Sequence, residues 1–158
     1  MSSPVVIGVV SAKGSPGATT AALAFAAGTS HRGLVVELDP SGGSVECWTG
    51  MTGEPGLVQA ANALRRSTDP EAVTGHAVQA PPGVWSVLAP SSGTMAESTI
   101  TSAGDRFVAA CSQLDREVVV DGGRWARSQP TAHRMAGCDV IAVVCAPTVA
   151  GVEAARGL

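Results

Sequence analysis

Tyrosine is absent from this 158-residue chain, and aromatic residues make up only 3% of it. A core without large rings must be filled by Val, Ala, Leu and Ile, which suits helices packed close against a sheet in an α/β protein. Charge is sparse too, 15% against 45% apolar residues, a balance that excludes a disordered chain. The net charge of −3 offers no basic excess for non-specific binding of nucleic acid. Cys47, Cys111, Cys138 and Cys145 contain no Cys-x-x-Cys pair and have no histidine at ligand spacing. Disulfide and zinc readings are therefore weak, and small buried thiols in a reducing compartment are expected. His31, His76 and His133 have no carboxylate or serine at useful spacing and belong at the surface or at helix ends. Met1-Ser2-Ser3-Pro4 lacks the charged start of a signal peptide, and no apolar run approaches the roughly 20 residues of a membrane span. A cytoplasmic location is expected. Lysine is the most telling scarcity: Lys13 is the only one, against nine arginines.

That lysine sits in the stretch around which the chain is organised. Residues 5–10 are an apolar run rich in Val and Ile, as expected of a central parallel strand buried on both faces. The loop Lys13-Gly14-Ser15-Pro16-Gly17 follows, and then Ala18-Thr19-Thr20 opens an alanine-rich helix over about 19–27. Strand, glycine loop and helix start make a phosphate cradle, because loop amides and the helix N-terminus both present positive partial charge to an anion.

The rest repeats the alternation. Strands are predicted at 34–39, 84–89, 117–121 and 140–145, and helices at 56–66, from about 68, over about 96–114, at 130–136 and after Pro147-Thr148. The stretch 80–83 reads as a turn. Helix-length spacers between strands imply an α/β fold with a parallel sheet and right-handed crossovers, in one domain over 1–158. Loops Lys13–Thr20, Asp39–Gly43 and Asp121–Gly123 all leave carboxyl ends of strands, so one sheet edge can gather them around one ligand.

The first loop nearly matches Gly-x-x-x-x-Gly-Lys-[Ser/Thr], with Gly17 at the second glycine and Thr19 at the hydroxyl that holds Mg²⁺. Ala12 stands at the first glycine and Ala18 at the lysine, so the match is incomplete. The run Lys13–Thr20 also resembles the deviant Walker A motif of the ParA/MinD ATPases, Lys-Gly-Gly-x-Gly-Lys-Thr-Thr. Glu37-Leu38-Asp39-Pro40 resembles their Asp-x-Asp-Pro motif, Val118-Val119-Val120-Asp121 their Walker B, and 140–148 their strand ending in Pro-Thr. Loss of the second lysine is similar to the CpaE/TadZ branch, which serves pilus assembly. The likeness spans nearly the whole chain but about two-thirds of the family's usual domain, so a C-terminally truncated chain is expected.

The resemblance implies a three-layer P-loop NTPase-type fold, with a mostly parallel sheet flanked by helices. It implies ATP and Mg²⁺ as cofactors and a homodimer formed on nucleotide. Lys13 would reach the phosphates bound by the neighbouring copy. Gly14, Ser15, Gly17 and Ala18 would donate backbone N–H groups, while Pro16 lines the same loop without one. Thr19 would bind Mg²⁺, Thr20 the α-phosphate, and Asp39 would position the attacking water. Asp121 would hold Mg²⁺ through water, and Gly122-Gly123 would sense the γ-phosphate. The missing lysine at Ala18 weakens binding, and hydrolysis more than binding. Arg124 reads as an exposed surface residue, with replacement of that lost charge as the alternative. Trp48, Trp85 and Trp125 read as packing residues, although Trp48 and Trp125 follow site loops and offer a partner contact.

The leading functional expectation is an ATP-dependent switch that positions or recruits a larger assembly, a partitioning, pilus or secretion apparatus, with slow hydrolysis. The runner-up is a pseudo-ATPase scaffold that binds partners without turnover. A DNA-partitioning ATPase is third, because this region lacks clustered basic residues. ATP against GTP stays open. If the chain is complete, the strand at 140–145 lies at an exposed edge that needs a cover.

Overall fold

The computed structural model describes residues 4–13, 17–29, 33–81, 83–125, 133 and 135–158. Strand β1 (Val6–Ser11) is followed by α1 (Ala18–Gly28) and β2 (Leu34–Glu37). Three short helices come next, α2 (Val45–Thr49), α3 (Leu57–Leu64) and α4 (Glu71–Thr74). A hairpin of β3 (Val78–Ala80) and β4 (Val84–Val87) leads into the long helix α5 (Gly93–Cys111). The chain continues through β5 (Val118–Arg124), β6 (Val140–Val144) and α6 (Val149–Arg156). One six-stranded sheet has the order β3-β4-β2-β5-β1-β6, parallel throughout except for β3.

Helices cover both faces of the sheet, and the two-residue period of the strands divides their side chains accordingly. Val9, Val35 and Val119 point to α1 and pack with Ala18, Ala22 and Ala26, four residues apart along one helix face. Alanines on that face let the helix backbone approach the sheet closely. Val10, Val36 and Val120 point the other way and meet Leu57, Leu64, Ile100 and Phe107 from α3 and α5. Burying both faces explains why β1, β2 and β5 each hold an apolar run, 34–36 in β2 and 118–120 in β5.

The expected order of parallel strands and helices is present, with differences at particular places. The turn at 80–83 joins an unforeseen strand, β3, to β4; three residues, with only Val78 and Ala80 apolar, are too short to show a period. Helix α2 was also unforeseen, because its support comes from Glu37 and not from its own five residues. Helix α5 starts earlier than 96, since Ser92 Oγ accepts from Met95 N and caps it. Strand β5 runs beyond Asp121 to Arg124. The predicted helix at 130–136 falls mostly outside the described residues.

Strand β6 is the sheet edge, with Val140, Ile141 and Val143 exposed, and α6 has no buried residue. Cys47 is exposed, against the expectation of buried thiols, because α2 turns it outward. Cys111 is buried and burial pushes its thiol up to about 12, while that of half-buried Cys138 rises to about 11, so both stay protonated at neutral pH. No helix among the described residues is long and apolar enough to cross a membrane.

Candidate functional site

Adjacent parallel strands β2, β5 and β1 end at the same edge of the sheet, and their loops meet there. The bond from Leu38 N to Asp121 O, at 2.7 Å, ties the end of β2 to β5. A cleft of about 570 Å³ opens above them, lined by Ser11, Gly17, Ala18, Thr19, Thr20, Asp39, Ser41, Ser44, Trp48, Gly123 and Arg124.

One wall is the start of α1. Gly17 has φ 92°, a left-handed conformation that glycine adopts without strain, and this turn brings the chain from the loop into the helix. Among the described residues no side chain caps α1, and its first turn holds no acidic group. Among the described residues no side chain occupies the first-turn amides, and the helix dipole adds positive potential there. Ser92 and Thr148, by contrast, accept hydrogen bonds from the first turns of α5 and α6.

The floor carries the carboxylates. Asp121 is buried at the end of β5, where the Thr19 hydroxyl and Gly123 N donate to it. Burial pushes its carboxyl above the ordinary range, the two hydrogen bonds draw it back, and the Asp39 charge pushes it up again. Asp39 accepts from Ser41 N at 2.8 Å and lies against Gly123. A Cβ at Gly123 would stand 2.1 Å from the Asp39 carboxylate, and φ is +63° there, so glycine is required on both counts. Ser44 Oγ donates to Thr19 Oγ1 at 3.3 Å and joins the second loop to the first.

The sequence-predicted residues Gly17, Ala18, Thr19, Thr20, Asp39 and Gly123 therefore line one cleft, with Asp121 beneath it. Gly122 is buried in β5. Lys13 is exposed and does not line the cleft. Gly14, Ser15 and Pro16 lie outside the described residues.

Glu37, Trp48 and Arg124 stand outside the predicted set of site residues, and each supports or lines the site. Glu37 is buried, and its carboxylate accepts from Ser44 N and Val45 N at the start of α2 and from Ala89 N beyond β4. Desolvation raises its pKa, against those three bonds. A lone acid inside the apolar run 34–38 is the signal that identifies it. Trp48 corrects the packing expectation: it is 57% exposed on α2 and stands at the cleft mouth. Trp85 and Trp125 do pack against the core. Arg124 is exposed, as expected, yet it lines the cleft.

The donors Thr19, Asp121, Asp39 and Ser44 are all oxygen, which suits a hard divalent cation. Among the described residues no group of three or more His, Cys, Asp or Glu could form a complete cage. A small cation here fits best when phosphate and water complete its shell, as Mg²⁺ prefers. A second concavity of about 630 Å³ lies between the last turns of α3 and α5, lined by Arg65, Arg66 and Arg106 among others, and holds none of the predicted site residues.

No family model matches the sequence, and no curated protein matches it. Solved structures do resemble its fold. A ParA family ATPase from Chlorobium tepidum superposes with a TM-score of 0.78 at 19% identity, over 99% of this chain and 66% of that one. The septum site-determining protein MinD from Pyrococcus horikoshii, complexed with Mg-ADP, gives 0.68 at 13% identity, over 96% and 61%. Cobyrinic acid a,c-diamide synthase from Mycobacterium smegmatis, with an ATP analogue and magnesium, gives 0.64 at 19%, over 97% and 66%. The chain thus has the fold of the ParA/MinD-type P-loop NTPases and spans 61% to 66% of the length of these three proteins. The synthase shares that fold with a ParA family ATPase and a septum site-determining protein, so the fold by itself does not select an activity.

Proposed function

We propose that residues 1–158 form a single nucleotide-binding domain of a ParA/MinD-type switch, which binds Mg-ATP in the cleft between β1, β2 and β5. The observation that carries this reading is the junction of three loops: Thr19 bonded to Asp121, Ser44 bonded to Thr19, and Asp39 against Gly123. The chemistry that nucleotide and cation would supply there is a polarised terminal phosphate. The protein's own groups hold and orient. Amides at the start of α1 take phosphate oxygens, and Thr20 meets the α-phosphate. Thr19 and Asp121 hold the cation, Asp39 aligns water, and the Gly122-Gly123 turn feels whether the outer phosphate is present. Solved structures of this fold contain ATP, an ATP analogue or ADP, several of them with magnesium, which supports the ligand class.

The finer reading follows the motif. Exposed Lys13 reaches the nucleotide of a second copy, so binding drives a homodimer. The dimer positions or recruits a larger assembly in the cytoplasm, a partitioning, pilus or secretion apparatus, and the CpaE/TadZ-like loss of the lysine at Ala18 points to the pilus branch. Hydrolysis is slow, since phosphoryl transfer depends on charge placed at the transition state. Ala18, apolar and only 8% exposed, also supports the second reading, a scaffold that keeps the fold and does not turn over nucleotide.

A titration with Mg-ATP, followed by calorimetry and light scattering together, tests both. Saturable binding with doubling of mass supports the switch. Thr19→Ala should abolish binding, whereas Lys13→Ala should spare binding and prevent the doubling. A folded chain that stays empty at millimolar Mg-ATP overturns the switch and leaves the scaffold.

A further inference from the structure

On the nucleotide reading above, the cleft has to meet the charge of a triphosphate. The phosphates bring several negative charges to a place that already holds Asp39 and, beneath it, Asp121. The first helical position of α1 contributes only a methyl group, Ala18. Among the described residues that line the cleft, Arg124 is the one cationic side chain.

Its placement follows from an irregularity in the sheet. Val9 of β1 pairs with Asp121 of β5, but Ser11 pairs with Arg124, so two steps on β1 match three on β5. The extra residue is a bulge, and Gly123, with φ +63°, supplies the conformation that it needs. Inserting one residue reverses which face each later side chain takes. Counting in twos from Asp121, residue 124 would face α3 and α5; after the bulge it shares the face of Ser11, which lines the cleft. Trp125 is correspondingly turned into the core on the other face. Two bonds fix the bulge, Trp125 N to Ser11 O at 2.8 Å and Ser11 Oγ to Gly123 O at 3.3 Å.

We propose that Arg124 is the phosphate-binding cation of this chain, swung into the nucleotide cleft by the β5 bulge, and that it performs from strand β5 the charge compensation that Ala18 cannot perform from α1. A guanidinium presents a planar fork of N–H donors that matches two oxygens of a phosphate. A charge-assisted contact of this kind changes affinity by a factor of ten or more.

The experiment measures the Kd for Mg-ATP by calorimetry, with circular dichroism as a check on folding, for the unaltered chain, Arg124→Ala, Arg124→Lys, and Ala18→Lys alone and with Arg124→Ala. Arg124→Ala should weaken binding at least tenfold, and Arg124→Lys, which keeps the charge and loses the fork, should recover only part of the loss. Adding Ala18→Lys to Arg124→Ala should restore affinity, and Arg124→Ala should then cost less than it does in the unaltered background. Binding that Arg124→Ala leaves unchanged overturns this assignment while the nucleotide reading stands. Absence of binding by the unaltered, folded chain overturns the nucleotide reading and the assignment with it.

Discussion

Replacing Glu37 with alanine should destabilise the protein by several kcal/mol, although Glu37 is not among the residues that line the cleft. Its carboxylate accepts from Ser44 N at 3.0 Å, Val45 N at 3.1 Å and Ala89 N at 3.0 Å, and the last two bonds are buried. Alanine leaves two buried donors without partners, at about 1–3 kcal/mol each, or about 2–6 kcal/mol together. That is a large part of the ~5–15 kcal/mol that holds a domain folded. Glutamine keeps one oxygen for Ser44 and Val45, and sets an N–H₂ against Ala89 N. It leaves one buried donor without a partner where alanine leaves two, and both substitutions remove the charge that burial disfavours, so Glu37→Gln should lose about half as much.

The pH dependence has a definite sign. Burial holds the Glu37 pKa above its ordinary value of 4.5, so the folded chain binds the proton more tightly than the unfolded one. Stability should therefore fall as pH rises from that ordinary value through the raised one, and then level off. Glu37→Gln should remove the share of this fall that belongs to Glu37 and leave that of Asp121. Urea denaturation followed by circular dichroism at several pH values measures both effects. An alanine variant within about 1 kcal/mol of the parent, or a glutamine variant as damaged as the alanine one, refutes the reasoning, since the two buried donors together should exceed that threshold.

Asp121→Asn should raise the melting temperature of the ligand-free chain at pH 8, because the same desolvation acts against its charge, and should abolish Mg²⁺-dependent nucleotide binding. Gly123→Ala forces a left-handed backbone on alanine and pushes the Asp39 carboxylate aside, so a loss of about 1–3 kcal/mol is expected in denaturant titrations, with weakened nucleotide binding. Phe107→Ala, at the centre of the core between α5 and the sheet, should lose about 3–5 kcal/mol and leave the affinity of the remaining folded fraction unchanged.

Much of the fold was written locally in the chain. The apolar runs of β1, β2 and β5 named themselves as strands buried on two faces, and the alanine period of α1 marked a helix set close to the sheet. The glycine loop before Thr19 and the acids at the ends of β2 and β5 marked the edge where a ligand belongs. These signals are legible because period and turn chemistry act over a few neighbouring residues. Other features were decided only in three dimensions. Helix α2 depends on a carboxylate seven residues upstream, and β3 on a partner strand, so neither has a signature of its own. Trp48 faces the cleft because α2 turns it there, and Arg124 because one extra residue in β5 reverses its face. Sequence supplied the residue types at the site; which side of the sheet each one serves was decided by register, a property of paired strands and not of either strand alone.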